Sequence, residues 1–122
     1  DYRITADRDK LKQVIANIID NSMKYTPSGS ITATLSHDKI NHKFIFKVKD
    51  TGIGIAPEVL PRLFQKWSRA QNGTKTNIRG TGLGLYVARQ IIEAHHGILR
   101  AESEGEGRGS SFIVELEPFQ KA

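Results

Sequence analysis

The chain has 122 residues, 38% of them hydrophobic and 25% charged, with a net charge of +5 and no cysteine. That is the size and make-up of one soluble globular domain with a single core; it leaves no room for a second domain, a disulfide framework or a thiolate nucleophile or metal site, and it accords with a reducing, cytoplasmic setting. The longest apolar runs are far too short to span a membrane, so no direct membrane insertion is expected, and a start at Asp1-Tyr2-Arg3 without methionine reads as a piece of a longer protein.

In chain order, Arg3-Ile4-Thr5-Ala6 reads as a short edge strand, and Asp7 stands where a helix N-cap is wanted, with Asp9 in the first turn. A long helix follows, its buried stripe formed by Leu11, Val14, Ile15, Ile18 and Ser22 with Ile19 beside it, ending at Thr26 before Pro27. Along its other face Asn17, Asn21 and Lys24 project from neighbouring positions. Asparagine is a poor helix former, so two of them in mid-helix call for a reason beyond solubility, although plain solvent exposure is an alternative. Beyond Pro27-Ser28-Gly29, two alternating segments, Ile31 to Ser36 and Phe44 to Lys49, predict an antiparallel hairpin that runs directly into Asp50. Pro57 followed by Glu58 predicts a short helix to about Trp67.

Residues 68–81 carry almost no apolar periodicity and read as a long functional loop, a lid. A helix with the apolar stripe Leu83, Val87, Ala88, Ile91 and Ile92 comes next, closed by Gly97, and then two strands, Ile98 to Ser103 and Ser111 to Glu117, around a glycine-rich turn. Strands and helices that mix without regular alternation predict an α+β two-layer sandwich: a mostly antiparallel, mixed sheet covered on one face by three helices.

Two blocks stand out, Asp50-Thr51-Gly52-Ile53-Gly54 and Gly80-Thr81-Gly82-Leu83-Gly84, the second opening onto a helix. Glycine-rich approaches to a helix N-terminus gather backbone amides on an anion, though tight turns account for glycines equally well. Residues 59–92 hold Arg62, Lys66, Arg69, Lys75, Arg79 and Arg89 and no Asp or Glu. A stretch so cationic suits a polyphosphate ligand; nucleic acid would favour it too.

From about Asp7 to Pro118 the chain resembles the ATP-binding catalytic domain of sensor histidine kinases. Four blocks carry the likeness in order: Asn17-Ile18-Ile19-Asp20-Asn21-Ser22-Met23-Lys24-Tyr25, Asp50-Thr51-Gly52-Ile53-Gly54-Ile55, Leu63-Phe64, and Gly80-Thr81-Gly82-Leu83-Gly84-Leu85. The resemblance implies the Bergerat ATP-binding fold with an ATP lid between the last two blocks, and ATP and Mg2+ as ligands. Asn21 resembles the magnesium ligand, Lys24 a neutraliser of phosphate charge, Tyr25 a contact to adenine or ribose, and Asp50 the acceptor for the adenine amino group. Gly52 and Gly54 would let the base approach the backbone, and Gly80, Gly82 and Gly84 would hold the triphosphate. Ile55, Arg79, Thr81, Leu83, Leu85 and Ser111 complete the cofactor-binding set.

Asn17 occupies a position where ATP-hydrolysing relatives of this fold carry glutamate. An amide cannot act as a base, so the catalytic set Asn17, Asn21 and Lys24 fits transfer to an imidazole supplied by another domain, by positioning and charge stabilisation. The partners implied are a dimeric phosphoacceptor-histidine domain of the same protein and a downstream response regulator. His37, His42, His95 and His96 fall at a turn and a helix end and do not read as the acceptor. A conformational ATPase of the same fold is the alternative that Asn17 disfavours. A basic nucleic-acid-binding module is disfavoured by the lack of interleaved aromatic residues, so no nucleic acid is expected.

Overall fold

The computed structural model describes residues 4–66 and 83–118. Asp7 adopts extended backbone angles and its carboxylate accepts the Lys10 N–H at 3.1 Å, which starts helix α1 (Arg8–Lys24) with Asp9 in the first turn and Lys24 in the last. Each of these features complements an unpaired helix end or its dipole. Val14, Ile18 and Ser22 are its buried residues. Ile15, expected in that stripe, is 41% exposed. Residues 4–6 are irregular rather than a strand, and the next backbone N–H, that of Asp7, is given to a side chain, His95, instead of a ladder; Arg3 lies outside the described residues.

Strands β1 (Ile31–Asp38) and β2 (Lys43–Asp50) form the expected hairpin. Its turn is built by Asp38, which accepts the N–H groups of Ile40 and Asn41 and the Asn41 side-chain amide, with His42 in the left-handed region at φ 56°. The helix expected after Pro57 is reduced to a single 3-10 turn, Leu60–Arg62. Pro61 has no N–H to give to a preceding turn and its ring clashes with a preceding carbonyl, so an α-helix cannot pass through this segment. The expected end of that helix, Trp67, and the expected lid, Ser68 to Thr81, lie outside the described residues.

Helix α2 (Gly84–Ala94) buries Leu85, Ala88 and Ile92. It ends differently from the expectation: the left-handed residue is His96, at φ 61°, while His96 N–H bonds to Glu93 and Gly97 N–H to Ile92, both at 2.9 Å. This is the paired Schellman closure. Gly97 is required for a different reason, since a Cβ there would crowd the Glu115 carbonyl and the Leu116 side chain.

With β3 (Ile98–Glu102) and β4 (Ser110–Leu116) the sheet has the order β1-β2-β4-β3, antiparallel at every junction. The two α-helices and the 3-10 turn lie on one face, so the two-layer α+β sandwich stands, with an antiparallel sheet and two α-helices among the described residues. Val14 and Ile18 of α1, Leu85, Ala88 and Ile92 of α2, and Val48, Leu99, Phe112 and Val114 of the sheet make the core with Ile55, Val59 and Leu63. The helices pack on β2 and β3, which leaves edge strand β1 outside their cover. Leu35, expected to face inward, is therefore 75% exposed.

Candidate functional site

The C-terminal ends of α1 and β2 meet, and glycine is what permits the meeting. A Cβ on Gly52 would overlap the Tyr25 carbonyl oxygen, and that same oxygen accepts the Ile53 N–H at 2.9 Å. Gly54, at φ 74°, lies against Gly105 so closely that any side chain would overlap its carbonyl. Gly107 N–H then reaches the Ile53 carbonyl at 2.7 Å. The first glycine block is thus demanded by chain packing against chain: α1 on one side, the glycine-rich 104–109 turn on the other.

Within this crossing sits Asp50, 2% exposed. Its Oδ1 accepts the N–H groups of Gly52 at 2.9 Å and Ser110 at 3.2 Å, and its Oδ2 accepts the Ser110 hydroxyl at 2.7 Å. A buried carboxylate is costly unless hydrogen-bonded, and an ionised one offers about four acceptor sites. Three are used among the described residues, so the group is both anchored and able to accept one donor more.

Asn21, Tyr25, Gly54, Ile55, Val59, Leu63, Ser110 and Phe112 enclose a small cavity of about 20 Å³, roughly one water's volume, which must widen to admit a purine. A larger concavity, about 490 Å³, lies between the first turns of α1 and the hairpin. Its walls, Ile4, Leu11, Ile15, Leu35 and Phe44 among them, are mostly apolar and lack the convergent polar groups that orient a nucleotide.

Across the cavity Asn17 donates from Nδ2 to the carbonyl of Gly84, the first residue of α2, at 3.1 Å. This holds the opening of α2 against α1. Lys24 pairs with Asp20 at 3.1 Å on an exposed surface. Leu83 precedes α2 as its half-buried N-cap residue. Beside Gly52, the Thr26 hydroxyl and, one turn earlier on α1, the fully buried Ser22 hydroxyl have no hydrogen-bond partner among the described residues. On the far side Ser103 accepts the Ile55 N–H and donates to the Gly109 carbonyl, which fixes the glycine-rich turn.

The histidine kinase-, DNA gyrase B- and HSP90-like ATPase model matches residues 6–120. The chain belongs to this family. Its relatives place it among the ATP-binding catalytic domains of sensor histidine kinases. It is 39% identical over 112 residues to the sensor protein SrrB of Staphylococcus aureus, covering 92% of this chain and 19% of that protein, so the domain spans about a fifth of the length of the curated relatives it matches. Full-length ShkA in complex with AMPPNP superposes with a TM-score of 0.80 at 31% identity, over 98% of this chain and 23% of that one. The catalytic domain of the histidine kinase ThkA superposes with a TM-score of 0.77 at 30% identity, over 95% of this chain and 72% of that one. The mycobacterial sensor histidine kinase MprB, 24% identical, shares the fold with a TM-score of 0.80 over 95% of this chain and 76% of that one.

In this catalytic domain the sequence-predicted residues divide. Asn21, Tyr25, Gly54 and Ile55 converge on the cavity with Asp50 and Gly52 beside it; Asn17 and Gly84 tie the two helices together. Leu85 is a core residue, 9% exposed, in the cluster that holds Ile18 and Ile92. Ser111 pairs in register with Lys49, on the opposite face of the sheet from Ser110, which pairs with Asp50 and bonds its carboxylate. Arg79, Gly80, Thr81 and Gly82 lie outside the described residues. Among the described residues no helix is long and apolar enough to cross a membrane.

Proposed function

We propose that this domain binds Mg-ATP and transfers its γ-phosphoryl group to a histidine on a separate phosphoacceptor domain of a sensor kinase, from which it passes to a response regulator. The observation that carries this is Asp50: a buried carboxylate held by Gly52 and by Ser110, itself a lining residue of the cavity, with one acceptor site to spare among the described residues. That site suits the exocyclic amine of adenine. Guanine would set a carbonyl oxygen against the carboxylate and leave both unpaired, which disfavours GTP.

The phosphates would lie toward the opening of α2, where unpaired N–H groups and the positive end of the helix dipole favour anions. Arg79 and the amides of residues 80–84 are proposed to join them. Asn21 lines the cavity and has an amide oxygen to offer, and among the described residues no group of three or more His, Cys, Asp or Glu competes for a cation. One oxygen donor beside phosphates fits magnesium, which keeps its waters and, once bound, neutralises phosphate charge. Lys24 reaches the phosphates by leaving Asp20, at little cost because an exposed pair is worth about 0–1 kcal/mol.

In the transfer, the bond from the β–γ bridging oxygen to the γ-phosphorus breaks, a bond from the acceptor imidazole nitrogen forms, and ADP leaves. A neutral imidazole needs no base to attack, which accords with amides at positions 17 and 21. The test is titration of the domain with Mg-ATP, then incubation with radiolabelled ATP and an acceptor-helix domain from a sensor kinase. Acid-labile, base-stable label on the acceptor is the expected result. Phosphate release by the domain alone at a comparable rate would make it a conformational ATPase instead, and absence of ATP binding would overturn the reading.

A further inference from the structure

His95 is remote from Asp50 in sequence and takes part in none of the contacts described above for the cavity, yet it is bonded on both sides of its ring. Nδ1 lies 2.8 Å from the Ile91 carbonyl within α2, and Nε2 accepts the Asp7 N–H at 3.0 Å across 88 residues of sequence. An acceptor at Nε2 and a carbonyl at Nδ1 together demand the neutral ring with its proton on Nδ1. The bond lands on the N-cap residue of α1. At the opposite end of the helix pair, Asn17 of α1 bonds the carbonyl of Gly84, the first residue of α2. The helices therefore run antiparallel and are pinned at two points, about 15 Å apart along each axis at a rise of about 1.5 Å per residue.

We propose that His95 is a positioning residue: with Asn17 it fixes the axial register of α2 against α1, and so the distance from the opening of α2 to Asn21. This rests on the nucleotide reading above, in which the opening of α2 receives the phosphates. Ridge-into-groove packing resists sliding along a helix axis, and two hydrogen bonds of fixed geometry, one at each end of α2, add a directional restraint to it. A slip of one residue would move the phosphate-binding amides by about 1.5 Å, a misplacement of the size that costs binding and reaction geometry dearly. The adenine pocket, lined from α1, residues 54–63 and β4, would not move with it.

The test compares His95→Ala and His95→Gln with the unaltered domain at a temperature well below each melting point. A glutamine side-chain oxygen can accept the Asp7 N–H as Nε2 does. In His95→Ala the Asp7 amide should exchange freely, Mg-ATP affinity should fall about tenfold, and adenosine affinity should stay within about twofold; His95→Gln should restore both Asp7 protection and the ATP-to-adenosine ratio. A ratio unchanged in folded His95→Ala, or a glutamine variant that recovers Asp7 protection without recovering the ratio, would overturn the role of His95 alone. An unaltered domain that binds no ATP would instead overturn the nucleotide reading and this role with it, while Asp7 exchange would still report the bond.

Discussion

Replacing Asp50 by asparagine separates the duty the structure gives it, holding the strand end, from the one proposed for it, reading the base. Asp50→Ala confounds them, because it strips the acceptor from two backbone N–H groups and the Ser110 hydroxyl. At about 1–3 kcal/mol for each buried donor left unpaired, that loss is a large part of a typical domain stability of about 5–15 kcal/mol. Asp50→Asn keeps Oδ1 for Gly52 and Ser110 N–H, and its amide nitrogen can donate to the Ser110 oxygen, since a hydroxyl serves either way. The fold should survive with a melting temperature within a few degrees. What changes is the remaining site on that side chain, from acceptor to donor. ATP then loses a charge-assisted bond worth about 1.5–3 kcal/mol, roughly ten- to a hundredfold in affinity, while GTP, which presents an oxygen at the same place, should lose less or gain. Titration calorimetry of both nucleotides against both proteins measures this. Undiminished ATP affinity and unaltered discrimination in a folded Asp50→Asn protein would refute the placement of Asp50 at the base.

Asn21→Ala should leave ATP binding without magnesium nearly unchanged and abolish the gain that magnesium brings to phosphotransfer; normal transfer to an acceptor domain would remove Asn21 from the metal. Gly52→Ala should lower thermal stability by several kcal/mol, because its Cβ overlaps backbone at Tyr25, whereas Gly105→Ala, at φ 127° but with nothing within 4 Å, should cost only backbone strain of about 1–2 kcal/mol; thermal denaturation compares the two. The Asn41 side-chain amide first, then the Asn41 and Ile40 N–H groups, holds the Asp38 carboxyl below its ordinary value of 3.8. Such a group stabilises the fold above its unfolded value and loses that contribution as the pH falls through the folded one. The Ile40 and Asn41 amide resonances should therefore move in acid with a midpoint below 3.8, and Asp38→Asn should remove that movement.

Much of this was legible because local chemistry and tertiary need coincide. Asp7 caps the helix it precedes, Pro27 follows the helix it ends, and the alternation on either side of residues 39–42 makes the hairpin it predicts. The family could be read from the type and order of residues in its blocks. What local sequence did not specify was decided by partners distant in the chain. Ser110 and Ser111 are indistinguishable until the register with β2 sets which of them shares a face with Asp50. Leu35 obeys a period of two perfectly well, but it lies on the edge strand, across an apolar concavity from the first turns of α1 and 75% exposed. Leu85 belongs to a glycine-rich block and yet completes the core, because the helix that begins there turns it inward. The Pro57 helix was a misjudged local signal: Pro61, four residues on, was already visible.

The strand order also dictates when the site can come into being. β4 follows the other three strands in the chain yet lies between β2 and β3, and its first residue, 60 positions beyond Asp50, completes the carboxylate's bonds. The β1–β2 hairpin and both helices can begin to form from local contacts, whereas the insertion of β4 closes long loops and belongs with the slow, late events of folding. Until then Asp50 is a charge on an open strand edge, hydrated and unselective. On the proposed reading, base recognition would be acquired in the same step as the closed sheet, and a partly folded chain would display the glycine blocks without telling one purine from another.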